Sequence, residues 1–219
     1  MPDSEVSKLW RKVRKTEPGP LSRRRRACQH DRHYNRVGGF MQAFIVPPKR
    51  IPFLLKVGIW FSEKVTGRMM LPPRILAWYP KAAIGSGVME ALVAHTDGRM
   101  DERMLKLIRM AASVAANCPF CIDMNSHAHR AYGITDAEAA ALRGDVESLA
   151  TFSEREKLAI AYARAISATP LKFHPDLVEK VKAAFNEREF VILVSTAAQV
   201  NFWARLIQGL GIPPAGFGE

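Results

Sequence analysis

Residues 104–127 read Met104-Leu-Lys-Leu-Ile-Arg-Met-Ala-Ala-Ser-Val-Ala-Ala-Asn-Cys-Pro-Phe-Cys-Ile-Asp-Met-Asn-Ser-His127, and two consecutive helices are written into them. Met104, Leu107, Ile108, Ala111 and Ala115 recur at spacings of three and four, which gives a helix over 101–116 one buried stripe. Glu102, Lys106, Arg109 and Ser113 line a second face of the same helix. Asn117 interrupts the pattern. Asn is a favoured N-cap, and Pro is tolerated in a first turn, so a new helix is predicted to start at Cys118-Pro119. It should run to about Tyr132 and stop at Gly133.

Outward from this joint the chain reads as helical almost throughout, punctuated by Pro and Gly, with no convincing period-two run. Helices are expected over 51–65, from 71 to the Tyr79-Pro80 step, and over 82–95 with Thr96-Asp97-Gly98 as the stop. Thr135-x-x-Glu138 and Ser153-x-x-Glu156 are capping-box patterns that open helices at 135–143 and 153–168. Helices over 175–185 and 187–210 follow, the last closed by Gly211 and Pro213. In that last helix Phe190–Ala204 is apolar nearly all round, broken by Ser195, Thr196, Gln199 and Asn201, so it should be covered on more than one side, including by a subunit interface. A membrane span is the poorer reading, because Gln199, Asn201 and Arg205 interrupt it. Trp60, Trp78 and Trp203 are read as packing residues. The fold class is all-α.

The chain has 219 residues, 48% hydrophobic and 24% charged, as an ordinary globular protein does. Its net charge of +11 is uneven: residues 1–40 hold 11 of the 32 Lys and Arg but 4 of the 21 Asp and Glu. Residues 1–50 therefore form a basic arm ahead of a helical domain at 51–219. The arm is either a solvated tail, a mis-called extension with the true start at Met41, or, through residues 8–36, a contact for a polyanion. No apolar core of a secretory signal follows the basic stretch before residue 40. Three cysteines do not make a secreted disulfide framework, and Cys28 reads as a free thiol in the arm. A cytoplasmic location is expected.

Cys118 and Cys121 carry the chemistry. Residues three apart at a helix start share a face, so the two sulfurs can approach bonding distance. The helix N-terminus stabilises a thiolate, which is the nucleophilic form. Against this redox reading stand two ordinary buried cysteines, and a zinc site made with His127 and His129. On a continuous helix those histidines diverge by about 200°, so a zinc site would need the helix to break before Ser126. A thioredoxin-type site would need a strand before the motif, and here a helix precedes it. No phosphate-binding glycine loop, dinucleotide fingerprint or serine nucleophile elbow is present. The reading calls for no cofactor and no metal.

Residues 104–127, Gly133-Ile-Thr-Asp136, Phe152–Arg164 and Val200–Leu206 together resemble the alkylhydroperoxidase D / carboxymuconolactone decarboxylase family, over roughly 51–213. The resemblance implies an AhpD-like helical bundle and a homo-oligomer, commonly a trimer or hexamer. For members with Cys-x-x-Cys it implies a thiol peroxidase: Cys121 attacks a hydroperoxide, Cys118 resolves the sulfenic acid to a disulfide, and a dithiol reductant restores the pair. Helix-dipole logic, by contrast, makes Cys118 the lower-pKa thiol.

The sequence departs from that family pattern at the proton relay. Asn125 stands where the peroxidases carry a His, four residues after the second Cys, and Lys106 stands where they carry a Glu, twelve before the first. An Asn can hold a sulfenate by hydrogen bonds but cannot relay a proton. Glu102 and His127 are secondary candidates. Glu102 has an alternative as the i, i+4 surface partner of Lys106; His127 has one as a packing residue. Lys106, if it faces the pair, would lower a thiol pKa. The rival functions are lactone decarboxylation, which has no use for a vicinal dithiol, and a non-catalytic oligomeric binding protein.

Overall fold

The computed structural model describes residues 43–93 and 100–217. Among these it contains nine α-helices, one 3-10 turn and no strand. The helices are α1 Phe53–Thr66, α2 Leu71–Leu76, α3 Pro80–Leu92, α4 Glu102–Ala115, α5 Pro119–Ser126, α6 Asp136–Ala141, α7 Glu154–Ser167, α8 Pro175–Ala184 and α9 Glu187–Gly209. Residues 1–42 of the basic arm, Cys28 among them, and the expected stop at Thr96-Asp97-Gly98 lie outside the described residues.

Helix α4 is the hub. It packs on α7, α9 and α5, and its apolar stripe is covered from Met104 to Ala111, with Leu107, Ile108 and Ala111 wholly buried, while Ala115 at its end is exposed. Its second face is covered in part: Ser113 is wholly buried and Arg109 reaches Glu90 of α3 at 4.0 Å, while Glu102 is exposed. Helix α9 is long and apolar enough by composition to cross a bilayer. Its buried residues, Leu193, Ala197, Val200, Ala204 and Ile207, pack instead into the two hydrophobic clusters around α4 and α5. Two of the polar residues that interrupt it are answered across the fold: Asn201 Nδ2 donates to Ser167 Oγ at 2.8 Å, and Gln199 Nε2 to Glu90 Oε2 at 2.8 Å.

Several expectations shift. Pro80 does not end a segment; it opens α3 at the first helical position, where its missing N–H is no loss. The expected run from Cys118 to Tyr132 breaks after Ser126. Ala128 there adopts a left-handed φ of 53°, and a 3-10 turn over His129–Tyr132 follows, closed by Gly133 at φ 69°. Trp60 and Trp78 are exposed rather than packed, at 63% and 61%. Trp78 still donates its indole N–H to the Val46 carbonyl at 2.8 Å.

Candidate functional site

The two helices of the central stretch meet in two residues, and the joint is made by Asn117 in a different role from the expected one. Asn117 is not the N-cap of α5. It takes the left-handed conformation, φ 48°, one residue past the C-cap of α4. Its N–H donates to the Val114 carbonyl at 3.1 Å, and the Cys118 N–H donates to the Ser113 carbonyl at 3.3 Å. This is a Schellman closure, and Asn is among the few non-glycine residues that tolerate it. The N-cap of α5 is therefore Cys118 itself: its Sγ accepts the Cys121 N–H at 3.3 Å. Pro119 occupies the first turn, as expected.

The two thiols hydrogen-bond to each other. The bond from Cys121 holds the Cys118 thiol below its ordinary pKa against the upward pull of burial, and the N–H groups of Cys121 and Phe120 add to it. The same bond, together with burial, drives the Cys121 thiol well above its usual range. The electrostatics thus favour Cys118 as the thiolate and Cys121 as the proton-bearing partner.

The pair does not sit at an open mouth. Cys118 is 0% exposed and Cys121 1%. They lie in an apolar cluster with Met70 and Ile75 from the α2 region, Phe120, Ala204 and Ile207 of α9, and Ile212 and Phe217 of the C-terminal segment. The covering residues come from parts of the chain remote from the motif, so their convergence is invisible locally.

The remaining candidates separate into two groups. Asn125 is buried on the α5 face that bears Cys121, and its Nδ2 donates to Ser113 Oγ at 2.9 Å. The other candidates lie away from the sulfurs. Lys106 Nζ donates to the His127 carbonyl at 2.8 Å, at the far end of α5, and sits 4.8 Å from the Tyr132 ring centroid. It does not form the expected surface pair with Glu102, which is exposed in the first turn of α4. Burial, then the neighbouring Arg109 charge, pushes the Lys106 pKa down to about 8. His127 Nδ1 is 2.9 Å from the Phe217 carbonyl, whereas His129 bridges the Ser126 carbonyl and Asp136. Among the described residues no three His, Cys, Asp or Glu side chains converge as a metal-binding group.

Sequence reasoning missed two features near the pair. Asp123 Oδ2 accepts the N–H groups of Gly216 at 2.8 Å and Phe217 at 3.1 Å, tying the C-terminal segment to α5. Glu90 Oε2 accepts from Gln199 Nε2 and from Trp203 Nε1, at 2.8 and 2.9 Å, and Trp203 packs against the cysteine cluster. Both contacts join residues about 90 or more apart in the chain.

Comparison with known proteins agrees with this architecture. Residues 86–165 match the sequence model of the Carboxymuconolactone decarboxylase family. The uncharacterized protein YdfG of Bacillus subtilis is 28% identical over 138 residues, which cover 62% of this chain and 93% of YdfG. An uncharacterized peroxidase-related protein from Silicibacter sp. TM1040 superposes with a TM-score of 0.70 at 11% identity, over 82% of this chain and 95% of that one. An uncharacterized peroxidase-related protein with an alkylhydroperoxidase AhpD core, from Ralstonia eutropha JMP134, gives 0.67 at 15% identity, over 78% and 92%. The debrominase Bmp8, solved in complex with 2,3,4-tribromopyrrole, gives 0.67 at 18% identity, over 78% and 90%. The helix–Cys-x-x-Cys–helix joint lies inside the region, residues 86–165, that matches the carboxymuconolactone decarboxylase family, and the chain has the AhpD-like helical fold.

Proposed function

We propose that the chain is a thiol-dependent oxidoreductase whose Cys118–Cys121 pair reduces a hydroperoxide and is itself reduced by an external dithiol. The observation that carries this reading is the hydrogen-bonded thiol pair at a helix N-terminus, with Cys118 Sγ taking the Cys121 N–H at 3.3 Å. Attack is assigned to Cys118, in place of the role the family resemblance implies for Cys121, because Cys118 is the thiol pulled toward its anion. Its sulfur bonds to the distal peroxide oxygen as the O–O bond breaks. The leaving alkoxide takes the proton of the Cys121 thiol. Cys121, now a thiolate, displaces hydroxide from the Cys118 sulfenic acid, and solvent protonates the hydroxide to water. A dithiol then reduces the disulfide by exchange. Asn125 orders the α5 face but moves no proton, so turnover should be slower than with a histidine there. Lys106, Glu102 and His127 have no proton-transfer role in this scheme.

The chemistry requires a reducing compartment, for which we propose the cytoplasm. We also propose a homo-oligomer, because α1 and α3 present an apolar face to solvent.

Counting free thiols before and after one equivalent of hydroperoxide tests the reading: a loss of two per chain is expected, and no loss overturns it. In Cys121→Ser the sulfenic acid should accumulate on Cys118, whereas a sulfenic acid on Cys121 in Cys118→Ser alone would reverse the assignment. The fold shared with a debrominase supports a second electrophile, a halogenated aromatic ring, for the same thiol pair. Halide release under a dithiol, without peroxide consumption, would favour that substrate. Lactone decarboxylation leaves the buried pair without a task.

A further inference from the structure

A buried nucleophile needs a way in, and the elements around the sulfurs differ in how firmly they are held. Ala204 and Ile207 belong to α9, the longest helix, and Phe120 to α5 itself. Ile75 lies in α2, next to the Arg74–Glu63 ion pair of 2.7 Å. Ile212 and Phe217, in the same apolar cluster as the cysteines, lie on a segment without helix. From residue 213 on, the hydrogen bonds this segment makes among the described residues go to side chains: Asp123 Oδ2 takes the Gly216 and Phe217 N–H groups, and His127 faces the Phe217 carbonyl. The segment leaves α9 at Gly211, which has φ 65° and where a Cβ would come within 2.5 Å of the Phe44 ring. That position accepts glycine alone. Beside the segment lies an open groove of about 490 Å³, lined by Asn117 and Pro119 on either side of Cys118, by Asp123, and by Pro214 and Gly216.

We propose that residues 211–217 are a strap closed over the cysteine pair, that Asp123 is its latch, and that release of the strap into the groove admits the bulky reactant, a dithiol or a large hydroperoxide. This deepens the thiol reading above and rests on it. Asp123 is then a specificity-determining residue: by holding the strap it decides what size of molecule reaches the sulfurs. Hydrogen peroxide needs no more than a transient gap, whereas a protein dithiol needs the strap displaced. Local openings of this kind are drawn from segments with few backbone hydrogen bonds.

The test uses the reduced full-length chain and reads mass-resolved labelling of Cys118 and Cys121. Two reagents are compared, iodoacetamide and a maleimide bearing a 2-kDa polyethylene glycol chain. Asp123→Ala and Phe217→Ala should each accelerate the bulky label by at least about tenfold, the change that loss of one or two charge-assisted hydrogen bonds, or of a buried ring, produces. Asp123→Asn keeps a carbonyl acceptor and should label nearly as the parent does. Unchanged bulky labelling in the alanine variants overturns the proposal. So does an equal acceleration of both reagents together with a lowered unfolding midpoint, since that would be global loosening. Should the alanine variants fail to fold, amide exchange in the parent decides. The Gly216 and Phe217 N–H groups are expected to exchange through a far cheaper opening than the α9 amides, and equal protection overturns the strap. No peroxide enters these measurements. A strap that opens in a protein indifferent to hydroperoxide therefore refutes only the peroxidase reading, and a sealed strap in an active peroxidase refutes only the strap.

Discussion

At the residue scale the site depends on two groups that elementary sterics and electrostatics place under tension. Asn117 holds φ at 48° so that Cys118 can follow directly as an N-cap. A β-branched residue pays most for that conformation, so Asn117→Val should cost roughly 1–2 kcal/mol in urea unfolding, while Asn117→Gly should be neutral within about 0.5 kcal/mol. If both cost the same, the Asn side chain rather than its backbone conformation is what matters. Lys106 is the second case. Its pKa falls to about 8 in the folded chain because it is buried and faces Arg109, whereas in the unfolded chain it titrates near 10.4. Between those two values the unfolded state binds more protons, so this group adds stability as pH rises from about 8 to about 10.4. Below pH 8 it opposes folding. Stability curves for the parent and Lys106→Met should converge toward the upper end of that window and separate below it, with the parent falling more steeply as pH drops. Parallel curves would mean that the Lys106 ammonium is as well hydrated in the fold as outside it.

At the element scale the helix starts are locked in pairs. Thr135 and Glu138, Ser153 and Glu156, and Asn186 and Glu189 form three complete capping boxes. Each capping glutamate also meets an arginine from another element: Arg103 of α4 joins Glu138 and Glu156 at 2.8 and 2.7 Å, and Arg155 of α7 joins Glu189 at 2.7 Å. Burial pushes Glu138 up, but Arg103, with the Thr135 and Thr151 groups, outweighs it and holds the pKa at about 2. The stability this carboxylate contributes is present above its unfolded pKa of about 4.3 and is lost as pH falls through about 2. Glu138→Gln should therefore lower stability by about 1–3 kcal/mol at pH 7 and flatten the acid limb between roughly pH 4.5 and 2, as read by thermal melts. The first two boxes are legible in the sequence because a cap and its glutamate are three residues apart. The arginines that answer them are not, since Arg103 and Glu156 lie 53 residues apart. The same division runs through the candidate site. Cys118 and Cys121 can be found from spacing alone, and so can the helix start that polarises them. The Asn125–Ser113 bond spans 12 residues and the Asp123 latch 93, and neither leaves a periodic trace. Cys118 as cap, and the burial of both sulfurs, depend on how α4 ends and on what the C-terminal segment covers.

At the scale of the whole molecule the uneven distribution of buried surface supports the proposed homo-oligomer. Helix α1 has 14 residues yet buries only Ile59, and α3 buries only Ser86. Along α1, Leu54, Val57, Phe61 and Val65 recur at spacings of three and four with 80%, 49%, 63% and 70% of their surface exposed. Ile84, Val88 and Leu92 repeat every four residues on α3, which packs beside α1. An isolated helix of this length is marginal in water and normally owes its stability to a packed apolar face. An exposed stripe of this composition and length supports the proposed subunit interface. Light scattering on the full chain at micromolar concentration should therefore report an oligomer, and the melting temperature should rise with protein concentration, because association stabilises the folded state by mass action. Leu54→Glu with Phe61→Glu places two charges in that stripe. The pair should convert the protein to monomers and remove the concentration dependence, while the thiol pair, packed on α4, α5 and α9, keeps its reactivity. A parent chain that is already monomeric at these concentrations, with a melting temperature indifferent to dilution, would mean that α1 and α3 are covered by something other than a second copy.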